Sequence, residues 1–177
     1  KTKGADVVIA GPEGFCIDER TTDQSRAGAF VFLSDCAMTE NAGPTIARVP
    51  ISAVLTASVS NSGLPGVERG RETALADLQG FLETPIGQVS LGKSGNVSTI
   101  SVLSLSRTEN AVIAFIEDTT ITTTTAESPR FWRAFTEVGG RLVALSATGY
   151  NRSDPEQIRI EQILLAFIAS LHAANSG

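Results

Sequence analysis

The stretch Gly87-Gln88-Val89-Ser90-Leu91-Gly92-Lys93-Ser94 spells the phosphate-binding pattern G-x-x-x-x-G-K-[ST] letter for letter. That chemistry requires a strand before the loop and a helix after it, so that backbone amides and a helix N-terminus converge on the phosphates. Here the order is reversed: a helical pattern precedes the loop, and Gly95-Asn96-Val97-Ser98-Thr99-Ile100 continues as a strand. The acidic pair Glu117-Asp118, a candidate magnesium partner, follows too closely and within a hairpin. A glycine-rich turn is the expectation, with no nucleotide and no other cofactor.

The other reactive side chains form no complete set. Ser90-x-x-Lys93 and Lys93-Ser94-Gly95 resemble the serine and lysine motifs of penicillin-recognising enzymes, but here they overlap and cannot build one site. His172, the only histidine, lies at the end of the last helical pattern, where a cation suits the helix dipole. A Ser-His-Asp arrangement through it would need a rigid scaffold that a chain end seldom supplies. Asp18-Glu19 and Glu117-Asp118 are adjacent pairs, and adjacent residues on a strand point to opposite faces. Two cysteines and one histidine fall short of the four soft ligands of structural zinc. No catalytic residue and no metal site is assigned. Arg133 and Glu137, on one face of the last hairpin, remain as a candidate ligand face.

Cys16 and Cys36 each end or sit in a short apolar run, Gly14-Phe15-Cys16-Ile17 and Ala29-Phe30-Val31-Phe32-Leu33-Ser34-Asp35-Cys36, with turn formers and charges between. The arrangement suits one disulfide stapling neighbouring strands. A cystine implies an oxidising compartment, periplasmic or otherwise exported. The chain opens at Lys1 without a methionine, which fits prior removal of an export signal or a lipid-anchor segment. No apolar run approaches the roughly 20 residues of a bilayer-spanning helix, so no membrane span is expected.

The bulk numbers bound the partners. At 177 residues the chain suits one domain over residues 1–177 with its own core. A net charge of −5, only three lysines (Lys1, Lys3, Lys93) and no basic run argue against nucleic acid and anionic membranes. There is no aromatic ladder for glycans or single strands. Asn96-Val97-Ser98 and Asn151-Arg152-Ser153 match the N-glycosylation triplet, which matters only in a eukaryotic secretory pathway.

These residues must be positioned by an alternating pattern of strands. Val7-Val8-Ile9 and Phe15-Cys16-Ile17 flank the turn signal Gly11-Pro12-Glu13-Gly14 and read as two short extended pieces. From Val49 to Val59 the odd positions are apolar and the even ones largely Ser and Thr, a half-buried strand. Residues 69–83 carry Leu75, Leu78 and Leu82 on one helical stripe, stopped by Thr84-Pro85. Residues 97–105 and 111–116 read as a hairpin, and the threonine tract 119–125 as an exposed edge or loop.

Gly139-Gly140 predicts a tight hairpin. With Val138 opposite Arg141, one face carries Trp132, Ala134, Thr136, Val143, Leu145 and Ala147, and the other Phe131, Arg133, Phe135, Glu137, Leu142 and Ser146. The first face is core; the second, partly apolar and partly charged, suits a face only partly covered. A final helix begins at the cap signal Asp154-Pro155-Glu156-Gln157 and buries Ile160, Ile163, Leu164, Phe167, Ile168 and Leu171. The fold class is α+β: a largely antiparallel sheet flanked by two helices, the C-terminal one packed on it.

Pro12-Glu13-Gly14-Phe15, the last hairpin with Phe131-Trp132-Arg133-Ala134-Phe135, and the capped final helix together resemble the PsbP-like and DcrB-like superfamily. The general flavour of the chain is also similar to small exported proteins of alphaproteobacteria. The resemblance implies a noncatalytic accessory or partner-binding domain, with no catalytic residues to carry over. The sequence thus reads as an exported accessory or protein-binding domain of the bacterial cell envelope, its partner another envelope protein. The alternative is a small-ligand binder or hydrolase using loop carboxylates and arginines.

Overall fold

The computed structural model describes residues 7–25, 28–38, 53–92, 95–120, 128–150 and 154–176. Its strands are β1 (Phe15–Ile17), β2 (Asp23–Ser25), β3 (Gly28–Asp35), β4 (Ala53–Val59), β5 (Ile100–Arg107), β6 (Ala111–Asp118), β7 (Arg130–Val138) and β8 (Arg141–Gly149). Its helices are α1 (Arg71–Glu83), α2 (Pro85–Val89) and α3 (Asp154–Asn175). All strands join one antiparallel sheet in the order β1-β3-β4-β8-β7-β6-β5, with β2 also pairing β3. The protein is α+β, as its patterning predicts.

The centre of the sheet is set by two glycines. Gly139 and Gly140 adopt φ of 57° and 70°, which side-chain-bearing residues rarely accept, and the resulting two-residue turn pairs Val138 with Arg141. Trp132, Ala134, Val143, Leu145 and Ala147 then share a first face with Val31, Leu33, Leu55 and Ala57. Helix α3 lies on β7 and β8 and inserts Ile160, Leu164, Phe167 and Leu171, all essentially inaccessible. Burying each such side chain contributes roughly 1.5–3 kcal/mol. Trp132 fixes the docking: its indole N–H donates to the Gln157 carbonyl (3.1 Å), and its ring stacks on Phe115 at 4.5 Å.

The opposite, second face is covered by α1 and α2, which contact β5 and, through α1, β6. Leu75 and Leu82 pack there with Leu64, Leu91, Val112, Ala114, Ile116 and Phe131. Thr84-Pro85 ends α1 as expected, but Pro85 also opens α2, because its missing N–H costs nothing in a first turn. The Thr84 hydroxyl caps α2 by accepting from the Gly87 N–H (3.1 Å).

Val7-Val8-Ile9 joins no ladder; the Asn175 side chain serves Val8, accepting from its N–H and donating to its carbonyl, both at 2.8 Å. One further expectation is corrected. Residues 97–99 form a 3-10 turn capped by Asn96 rather than the start of β5. Residues 49–52 of the alternating strand, 121–125 of the threonine tract, Asn151-Arg152-Ser153 and Lys93-Ser94 lie outside the described residues, as do the side chains of Asp154 and Pro155.

A disulfide joins Cys16 of β1 to Cys36 just beyond β3 (Cα–Cα 4.8 Å). Strand β1 has only three ladder residues, yet it carries the buried Phe15 into the core. The cross-link holds what so short a ladder cannot. Replacing both cysteines (Cys16→Ser, Cys36→Ser) is expected to lower stability by about 3 kcal/mol in urea unfolding, from the loop entropy released to the unfolded chain. Alkylation of the denatured, unreduced wild type should add no mass.

Candidate functional site

One row of side chains crosses the second face over five strands: Asp23 (β2), Phe30 (β3), Ser58 (β4), Ala144 (β8) and Phe135 (β7), each in register with the next. Two small residues stand between two phenylalanines, so the row dips in the middle. With strands about 4.8 Å apart, the two aromatic positions are roughly 14 Å from each other. The dip is an open trough of about 380 Å³, whose walls add Val59, Ser60 and Leu142. Phe30 is 40% exposed beside it.

Arg133 and Glu137, the candidate ligand pair, lie on this face between its covered and open parts. The Arg133 Nε donates to Ser146 Oγ (3.1 Å), and its Nη1 to the carbonyls of Ser90 (3.3 Å) and Leu91 (2.8 Å). The guanidinium also rests 5.5 Å from the Phe131 ring centroid. Burial pushes its pKa down from the ordinary value, but arginine remains charged. Glu137, 9% exposed, accepts from the Leu64 N–H (3.3 Å). Each therefore braces a distant segment, Arg133 the end of α2 and Glu137 the loop after β4. Neither lines the trough.

Phe135 and Leu142 of the trough were placed on this face by the hairpin pattern; Asp23, Phe30 and Ser58 were missed. Their strands meet β8 only through long-range pairing. The available signal was the run of small Ser and Thr at the even positions of β4, which makes that part of the face thin.

The phosphate-like glycines have packing roles. A Cβ on Gly87 would lie 2.0 Å from the Phe81 carbonyl oxygen, and one on Gly92 2.3 Å from Ile100 Cδ1. Gly87 sits within α2 rather than in an open turn, and β5 follows where a phosphate loop needs a helix. Glu117 and Asp118 part to opposite faces: Glu117 accepts from Arg130 Nε (2.9 Å), and Asp118 from the Thr120 N–H (3.0 Å) and hydroxyl (2.6 Å). Among the described residues no group of three His, Cys, Asp or Glu could hold a metal ion.

His172 belongs to a partly buried relay. The Thr136 hydroxyl has one hydrogen, and the Asn110 carbonyl 2.6 Å away can only accept it. His172 Nε2, 2.8 Å from the same hydroxyl oxygen, therefore carries a hydrogen and donates. Burial and then the Arg71 charge lower the His172 pKa, against the rise expected from the helix dipole.

No family model matches this sequence, and no curated protein matches it significantly. Among solved structures it is similar to the extracellular domain of PknH from Mycobacterium tuberculosis, at 10% identity and a TM-score of 0.41. That match covers 82% of this chain and spans 64% of the length of the other.

Two outcomes follow from the bracing residues. Arg133→Met keeps the apolar stem but removes three donated bonds, and should cost about 2 kcal/mol in urea unfolding; unchanged stability would deny the brace. For His172 the folded pKa is depressed, so the unfolded chain takes up the proton first. Stability should fall as pH drops below about 6.5, the ordinary histidine value. His172→Gln, which can still donate to Thr136, should flatten that dependence in melting curves taken between pH 5 and 8.

Proposed function

We propose that this chain is an exported accessory module of the bacterial cell envelope that binds another protein through the open half of its second sheet face. The observation that carries the reading is the trough between Phe30 and Phe135, apolar in its walls and left uncovered by α1 and α2 among the described residues. An exposed aromatic beside an open apolar depression is a usual mark of a surface that meets a partner. The Cys16–Cys36 disulfide supports an oxidising, exported setting. No helix among the described residues is long and apolar enough to cross a membrane. The resemblance to PsbP-like and DcrB-like proteins implies the same noncatalytic role.

The alternative, a small-ligand binder or hydrolase acting through Arg133 and Glu137, draws on the trough's volume, which falls within the roughly 300–1,000 Å³ of small-molecule sites. It requires both side chains to leave their present bonds and turn to a ligand. The protein-binding reading does not.

Ala144→Trp fills the trough floor without touching the core of the first face. Quantitative cross-linking in envelope extract should show a partner whose capture falls about tenfold or more with this variant, while its melting temperature stays close to wild type. Capture equal in both proteins, or nothing above background in either, would overturn the assignment of this face.

A further inference from the structure

We propose that the trough receives a single arginine side chain of the partner, its guanidinium at Asp23 and Phe30 and its aliphatic stem over Ala144 and Leu142. The inference rests on the protein-binding reading and names the chemistry of the occupant. Asp23 stands directly opposite Phe30 in the β2–β3 register, at the end of the row that forms the trough. Its carboxylate is exposed and has no hydrogen bond or ion pair among the described residues. Three surface carboxylates are paired, Asp18 with Arg20, Asp77 with Arg69 and Glu117 with Arg130, whereas Asp23 is set apart by its place at the end of the trough.

A free carboxylate beside an exposed aromatic ring, with an apolar channel leading away, matches a long cationic side chain group by group. The head gains the carboxylate and the ring face, and the methylenes cover apolar surface. Ser58, next to Phe30 in the same row, offers a hydroxyl oxygen as a further acceptor. Arginine suits this better than lysine, because its planar fork can bond Asp23 and Ser58 together while lying on the ring. The same face already holds one guanidinium in this way, Arg133 over Phe131 with its head bonded to oxygens. A chain of net charge −5 also attracts a basic partner segment at long range.

The test is an NMR titration of the whole protein with N-acetyl-arginine methylamide, using the citrulline analogue as a neutral control of equal length. Saturable shifts should appear at Phe30, Ser58, Phe135 and Ala144, with the citrulline analogue and Asp23→Asn each binding about fivefold more weakly. Phe30→Ala should weaken binding roughly threefold. Added salt should weaken the wild type more than Asp23→Asn. Both substituted positions are exposed, and the unchanged remainder of each spectrum verifies the fold. Equal binding of arginine and citrulline analogues, or no shifts at the trough, would overturn the cation assignment. Either result leaves protein binding standing if Ala144→Trp still abolishes capture. Arginine binding that depends on Asp23, with capture indifferent to Ala144→Trp, would instead confirm the cation site and overturn the module reading.

Discussion

The closure of β7 onto β8 through Gly139-Gly140 determines which way every central side chain points. In a strand pair the side-chain period is two, so a slip of one residue would send Trp132, Ala134, Leu145 and Ala147 to the second face and Arg133 and Glu137 into the core beneath α3. A buried unpaired arginine and glutamate there would cost several kcal/mol each. The turn and the hydrophobic pattern agree on one register. From it follow the docking of α3 on Trp132, the pairing of β8 with β4, and the row that ends at Asp23.

The open half of the second face is a consequence of cover rather than of local sequence. A helix with its side chains is about 10 Å across and so covers about two strands. On the first face α3 takes β7 and β8, while Val7 and Phe15 add apolar cover from the N-terminal segment. On the second face α1 and α2 take β5 and β6. Leu64 and Leu91 extend that cover only as far as Glu137 and Arg133 can hold their backbones. Beyond those two braces the row over β8 and β4 carries the small Ala144 and Ser58, with the exposed Phe30 of β3 at its far side. The polar residues that sequence reasoning marked as a ligand face thus stand at the border of the trough and define its edge.

Much of this architecture was legible because its determinants are local. The glycine pair and the alternation on either side of it specify the hairpin register, the 3.6-residue stripe from Ile160 to Leu171 specifies the buried face of α3, and the two cysteines in strand-like runs specify a staple. What was not legible depends on residues far apart in sequence. Asp23 and Phe30 reach Ala144 only through the order β3-β4-β8, which no local pattern encodes. The bond partners of Arg133 and Glu137 lie about forty and seventy residues away. Pro85 read as a stop because its effect on the preceding turn is visible in sequence, whereas its role in starting α2 needs the Thr84 cap and the close approach of Gly87 to Phe81. Val7-Val8-Ile9 read only as a short extended piece; that the Asn175 side chain serves Val8 is a contact between the two ends of the described chain.

The second face is covered over β5 and β6 and open where Phe30 of β3, Ser58 of β4 and Ala144 of β8 line the trough. Hydroxyl-radical footprinting of the free protein, read by mass spectrometry at individual phenylalanines, tests it directly. Phe30, 40% exposed, should be oxidised readily, and Phe131, 1% exposed on the same face, should be nearly inert. Phe30 as protected as Phe131 in the monomer would mean that the chain covers its own trough, and would contradict the account.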